Sequence, residues 1–163
     1  MVKINTKLMD FNIRDISEKS FISLLQTADA INRYADIIYY SKGLSQIKYV
    51  VLHVLSINGG TMRPSDLAKW TFRERHDMTT LIRRLEKQEL VRIQRSTIDR
   101  REVNVILTDK GWQVIEEIEP ISDEITGKVM ASVQDEEAET LDRLIQILRH
   151  NTEQCLEDIN KTR

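Results

Sequence analysis

The chain has 163 residues, of which 40% are hydrophobic and 31% charged, with a formal net charge of −2. That length suits one domain or one compact subunit of an oligomer, and the composition supports a packed core. No apolar run approaches the roughly 20 residues that span a bilayer, Met1 to Asn12 lack the apolar block of a secretory signal, and a lone cysteine (Cys155) excludes an intramolecular disulfide framework, so the expected compartment is the cytoplasm, with no membrane association.

Residues 1–15 carry little pattern and read as an arm. From Phe21 the apolar residues recur in steps of three and four (Phe21, Leu24, Leu25, Ala28, Ile31, Ala35, Ile38, Tyr39), which predicts an amphipathic helix over 21–41 that Gly43 stops. A second helix carries Leu44, Ile47, Val50, Val51, Val54 and Leu55 and ends at the turn Asn58-Gly59-Gly60. Pro64 suits the first position of a short helix, because its missing N–H needs no partner there; Leu67 and Ala68 face inward, with Trp70 a further inward candidate. A break at Thr71–Glu74 leads to a helix over about 75–88. Its apolar set is Met78, Leu81, Ile82 and Leu85, and its other faces carry Arg75, His76, Thr79, Thr80, Arg83, Arg84 and Lys87. Two helices joined by a short turn, the second polar and basic, outline a helix-turn-helix.

The period then changes to two. Val91 and Ile93, then Val103, Val105 and Leu107, alternate with polar residues as half-buried strands do, around the polar loop Arg95–Glu102. A hairpin directly after a helix-turn-helix is the winged arrangement. Thr108 is a good N-cap for the next helix. An apolar stripe follows through Trp112, Ile115, Ile118, Ile125 and Val129, and Pro120 is expected to kink or split that helix. A last helix over about 135–158 carries Ala138, Leu141, Leu144, Ile145, Leu148, Cys155, Leu156 and Ile159.

Charge is distributed unevenly along this pattern. From Arg63 to Asn104 there are eleven Lys/Arg against seven Asp/Glu, a surplus of +4, which leaves the rest of the chain at −6. A basic middle between acidic ends suits a face that attracts phosphate, although chance patchiness gives the same count. The fold class is therefore mainly α with a small β part: a winged helix-turn-helix with a two- or three-stranded β-wing, flanked by N- and C-terminal helices. Those terminal helices have more apolar surface than the central module can cover. A symmetric homodimer is the common solution for such surfaces, the alternative being a monomer whose helices only cover the module.

Four stretches together resemble the MarR family of regulators. They are Leu44-Ser45 with Tyr49-x-Val51-Leu52 and Gly59-Gly60; Pro64-Ser65-Asp66-Leu67-Ala68; Met78-Thr79-x-Leu81-Ile82-x-Arg84-Leu85-Glu86-Lys87-x-x-Leu90-Val91; and Asp99-Arg100-Arg101 with Val105-x-Leu107-Thr108-x-Lys110-Gly111. The resemblance implies one subunit over 1–163, with a DNA-binding module at 44–111 and dimerisation helices at 15–42 and 112–160. Three positions depart from the pattern: Glu89 stands where a helix-ending glycine is usual, which predicts an end without a left-handed glycine cap; Phe72-Arg73 occupies the turn where a glycine is usual; and Trp70 is large for its place between two helices.

The resemblance further implies a sequence-specific transcription regulator, a repressor that binds double-stranded DNA at a near-palindromic operator and is released by a small-molecule effector. The helix at 75–88 would enter the major groove, with Arg75, His76, Thr79 and Thr80 as base-reading candidates and Arg83 at a phosphate or base edge. In the family pattern Arg84 is structural. The wing would place Arg101 in the minor groove, where the negative potential is enhanced, with Asp99 orienting it and Arg95 and Arg100 on phosphates. The plainer reading of Asp99 is that it starts a turn. Tyr34, Tyr39, Tyr49 and Trp112 lie near the expected effector cleft, though each is also a natural core residue.

His53, His76 and His150 show no ligand spacing, and no metalloprotease, dinucleotide or phosphate-loop motif is present, so neither catalysis, a metal nor a cofactor is expected. Cys155, in an apolar stripe, reads as a small hydrophobe sooner than as an oxidant sensor. A different class also fits the outline: a winged-helix module that binds a protein and no DNA. Basic residues on both the helix and the wing favour the regulator.

Overall fold

The computed structural model describes residues 15–95 and 103–162. The element order is α1 (Ile16–Tyr40), α2 (Gln46–Ile57), β1 (Thr61–Met62), α3 (Pro64–Trp70), α4 (Arg75–Lys87), β2 (Val91–Arg95), β3 (Val103–Leu107), α5 (Asp109–Met130) and α6 (Asp135–Thr162). The chain forms two compact units, one ending at Ile125 and one beginning at Thr126.

The first unit is the winged module with α1 and most of α5. Its core gathers Val51, Leu52 and Leu55 from α2, Leu67 from α3, Met78, Ile82 and Leu85 from α4, Val91 and Val105 from the sheet, and Ile115 and Ile118 from α5. The three strands are antiparallel in the order β1-β3-β2. Val91 pairs with Leu107, Ile93 with Val105 and Arg95 with Val103, so β2 and β3 form one hairpin. Thr61 and Met62 add a third strand on the other side of β3. Only Val91 of β2 is buried; Ile93, expected half inside, is 39% exposed because the hairpin runs out beyond the helices that cover its base.

Helix boundaries follow local chemistry. Asp15 caps α1 by accepting from the Glu18 N–H at 2.8 Å, which starts the helix five residues before the apolar stripe that signals it. Ser45 makes no side-chain cap for α2; instead Asp36 of α1 accepts from the Gln46 N–H at 2.7 Å, so one helix caps the next. Thr108 caps α5 as expected: its Oγ1 accepts from the Gly111 N–H at 3.0 Å and donates to the Glu89 carbonyl at 2.6 Å.

Four helices end in the same way, with a left-handed residue closed by a pair of backbone bonds. After α2, the Gly60 N–H reaches Leu55 O (2.8 Å) and the Gly59 N–H reaches Ser56 O (3.1 Å). Gly43 serves the same purpose after α1. After α3 and α4 the left-handed residues are Phe72 (φ 51°) and Glu89 (φ 62°). Their closing bonds are Arg73 N–H to Ala68 O (2.9 Å) and Leu90 N–H to Leu85 O (3.0 Å). The left-handed cap expected to be lost at Glu89 is thus kept, without the glycine. Each non-glycine there costs about 1 kcal/mol or more; after Glu89, burial of Leu90 and Val91 offsets that cost.

Two glycines are required by close approach. A Cβ on Gly60 would lie 2.8 Å from the Trp112 ring, so Trp112 sits over the β1 turn. A Cβ on Gly111 would collide with the Leu90 carbonyl oxygen and lie 3.1 Å from Leu107 Cδ2. This contact fixes the start of α5 against the base of the hairpin.

Three expectations need correction. Trp70 is 56% exposed, at the last residue of α3. The α5 helix runs unbroken through Pro120, giving up only the bond that the missing N–H would make. Cys155 is exposed, as α6 buries none of its described residues within this single chain. No helix among the described residues is long and apolar enough to cross a membrane.

Candidate nucleic-acid interface

The site is built on α4. Met78, Leu81, Ile82 and Leu85 are buried, and they fix which face points out. At about 100° per residue, His76, Thr80, Arg83 and Lys87 form one line opposite that buried set. All four are exposed. Arg75 and Thr79 lie on the flank shared with Glu86. The Glu86 carboxylate accepts from the Ile93 N–H at 3.2 Å, which ties this flank to the outer edge of β2. Arg84 and Asp77 occupy the opposite flank, both exposed.

The structure therefore divides the five helix candidates. His76, Thr80 and Arg83 share the outermost line, while Arg75 and Thr79 face the side where the hairpin begins. The Thr79 hydroxyl donates to the Arg75 carbonyl at 2.8 Å, so its proton is engaged within the helix and its methyl remains for an apolar contact. Lys87 is the residue that sequence reading left out; its spacing of four, seven and eleven residues from Arg83, Thr80 and His76 was the available signal. Arg95 ends β2, exposed and paired with Val103. Asp99, Arg100 and Arg101 lie outside the described residues.

The helix is held by both neighbours. Lys48 of α2 donates to Gln88 Oε1 at 2.9 Å, anchoring the C-terminal end of α4. The Leu90 carbonyl accepts from the Thr108 N–H at 3.2 Å, linking the segment after α4 to the start of α5. A rigid α4 is what a groove-reading element needs, since its side chains are then placed by the scaffold.

A second cluster lies where α1, α2 and α5 meet. The Tyr39 and Tyr49 rings are 4.9 Å apart, and Tyr49 stacks on His53 at 5.5 Å. Burial raises both phenols above the ordinary value near 10, while hydrogen bonding to Ser122 of α5 opposes that rise. His53 Nδ1 is buried and makes no hydrogen bond among the described residues. Tyr39 and Tyr49 are core residues here, and Trp112 is engaged over Gly60; Tyr34 is partly buried. No group of three or more His, Cys, Asp or Glu able to hold a metal ion occurs among the described residues.

Residues 42–102 match the model of the MarR family. In fold the chain is similar to the organohalide-sensing RdhR-CbdbA1625 transcriptional regulator in its 2,4-dichlorophenol-bound form, with 24% identity, a TM-score of 0.79, and coverage of 93% of this chain and 90% of that one. It is similar to AbsC, a MarR family transcriptional regulator from Streptomyces coelicolor, at 22% identity and a TM-score of 0.79, over 85% of this chain and 96% of that one. Sco3205, a MarR family transcriptional regulator from the same organism solved in complex with DNA, matches at 23% identity and a TM-score of 0.78, over 84% and 88%. The match to the MarR family's model is thus confined to residues 42–102, while the fold of these transcriptional regulators is shared over most of the chain.

Proposed function

We propose that this protein is a cytoplasmic, homodimeric repressor that binds double-stranded DNA at a near-palindromic operator. The observation that carries the reading is the outward line His76, Thr80, Arg83 and Lys87 on a helix whose opposite face is fully packed. Such a helix fits the major groove with its N-terminal turns at base edges. Arg75 and Arg83 suit guanine or phosphate, His76 a base edge, and Thr79 and Thr80 a thymine methyl or phosphate. From the hairpin, Arg101 enters the minor groove with Asp99 orienting it, while Arg95 and Arg100 hold phosphates.

Dimerisation rests on the apolar residues the single chain leaves open. On α1, Ile16, Phe21 and Leu25 are more than half exposed; on α6, Leu141, Leu144, Leu148, Leu156 and Ile159 are all more than 40% exposed. Helix faces this apolar are stable in water when a second copy covers them. In this reading 44–111 is the DNA-binding module and the flanking segments 15–42 and 112–160 form the dimer, placing two copies of α4 about one helical turn of DNA apart. A small effector acts by changing that spacing. RdhR-CbdbA1625, solved with 2,4-dichlorophenol, motivates this part, and the α1–α2–α5 junction around Tyr49 and His53 is the joint such a ligand would move.

The test is a gel-shift titration on duplexes that the protein selects from genomic DNA. Wild type binds with an affinity that falls steeply with salt, as release of counterions requires. Arg101→Ala weakens binding at least about tenfold with little change in melting temperature. Unaltered affinity sinks the wing assignment, and failure to bind any duplex sinks the regulator reading in favour of a protein-binding module.

A further inference from the structure

A short series of contacts runs from the first helix to the end of α4. Asp36 of α1 accepts from the Gln46 N–H at 2.7 Å, and one turn further along both helices the Tyr39 and Tyr49 rings lie 4.9 Å apart. The α1–α2 corner is thus pinned at two successive points. Lys48 lies between Gln46 and Tyr49 in sequence, but its ammonium donates to Gln88 Oε1 at 2.9 Å, at the C-cap of α4. Both side chains of this pair are partly buried, although a lysine ammonium is strongly hydrated and is usually left in solvent. Holding two long side chains in one arrangement also costs rotamer freedom. What favours the ammonium there is the negative end of the α4 dipole, together with the amide oxygen. Lys48 therefore anchors α4 at the end remote from its base-reading turns. With 13 residues in α4 and a rise of about 1.5 Å per residue, about 20 Å separates that anchor from the N-terminal turn. A tilt of about 5° there moves the N-terminal turn by nearly 2 Å. In a twofold pair the two displacements add to about 3.4 Å, the rise of one base pair.

We propose that Lys48 is a positioning residue that sets the half-site spacing the protein accepts: through Gln88 it holds α4 at a fixed tilt to the α1–α2 corner. This rests on the reading of the protein as a dimer with two copies of α4 on one duplex, and adds to it a determinant of operator geometry that is not itself a DNA contact. A residue that only stabilised α4 would raise affinity for every duplex alike. One that sets its tilt discriminates between duplexes that differ in spacing alone.

The experiment uses duplexes that carry the half-site selected by wild type twice, at the selected spacing and at one base pair more or fewer, and a duplex with a single half-site. Affinities are measured with thermal melts alongside. Wild type loses about tenfold for a change of one base pair in spacing. Lys48→Met keeps the apolar stem and removes the donor; it narrows that ratio to about twofold while binding the single half-site as wild type does. Gln88→Leu removes the acceptor and does the same, so the test stands even where Lys48→Met melts early. Adding the second substitution to the first changes nothing further, because both break one bond. Gln88→Glu keeps an acceptor for the ammonium and retains the wild-type ratio. Asp36→Ala, which frees α2 from α1, narrows the ratio as Lys48→Met does. A tenfold ratio kept in Lys48→Met or Gln88→Leu overturns the proposal. So does an equal loss on every duplex, the single half-site included, which marks a role in stability alone. Wild type that binds the paired duplexes no better than the single half-site overturns the dimer reading and this inference together.

Discussion

Replacing Gly111 by Ala tests the joint between α5 and the hairpin. The new methyl would collide with the Leu90 carbonyl oxygen and sit 3.1 Å from Leu107 Cδ2 and 3.2 Å from the Leu90 carbonyl carbon. Two of these atoms are backbone, so neither can rotate aside. Overpacking of this kind costs about 1–3 kcal/mol. Moving Leu90 O also weakens the Thr108 N–H bond at 3.2 Å, and moving α5 weakens the Thr108 cap on Gly111, together about 1 kcal/mol. The better helix propensity of Ala returns somewhat less than about 1 kcal/mol in a first turn. The net loss is about 1–3 kcal/mol, a fall in melting temperature of about 3–10 °C for a chain of this size. Gly127, on the same helix, is an internal control, since a Cβ there meets nothing within 4 Å. Gly127→Ala should be neutral or stabilise by up to about 1 kcal/mol. The assay is thermal unfolding followed by far-UV circular dichroism at one fixed protein concentration, because the proposed dimerisation would link stability to concentration. Equal shifts for the two variants, or a Gly111→Ala protein that melts with wild type, would refute the close-contact argument.

Other outcomes follow from the same geometry. Glu89→Gly relieves a left-handed residue whose side chain is 80% exposed and only ion-paired to Lys110, so it raises stability by about 1 kcal/mol in urea titrations. Asp36→Ala removes the acceptor at the start of α2 and costs about 1 kcal/mol by the same measurement. In an alkaline titration followed by ultraviolet difference absorbance, Tyr39 and Tyr49 ionise above the ordinary value near 10, because burial disfavours the phenolate. Since their folded values are raised, the folded state binds those protons more tightly than the unfolded state; this contribution is intact below pH of about 10 and is lost as the pH climbs past it. Tyr39→Phe with Tyr49→Phe abolishes that alkaline loss.

Much of the architecture was legible in the chain because two periodicities change at defined places. The spacing of Met78, Leu81, Ile82 and Leu85 gave the inner face of α4, and with it the outer one. Thr108 announced the start of α5 by its side-chain chemistry alone. Trp70 misled because it falls on the inner side of α3 by spacing from Leu67, yet that helix has seven residues and ends there. Glu89 misled because a glycine preference is a local energy of about 1 kcal/mol, while the turn is held by backbone bonds and the burial of Leu90 and Val91. The cap from Asp36 to Gln46 spans ten residues and joins two helices, so no local pattern could reveal it. Among the binding candidates, the outward line on α4 was readable apart from Lys87. The separation of Arg75 and Thr79 onto the hairpin side required the bond between Glu86 and Ile93.

The central claim is that two copies of α4 read successive major grooves. Hydroxyl-radical footprinting of wild type on a genomically selected duplex tests it most directly. The account predicts two symmetric protected tracts about one helical turn apart, around 10 base pairs, both lost in Arg83→Ala at a concentration that saturates wild type. A single protected tract, or full protection by Arg83→Ala, would contradict it.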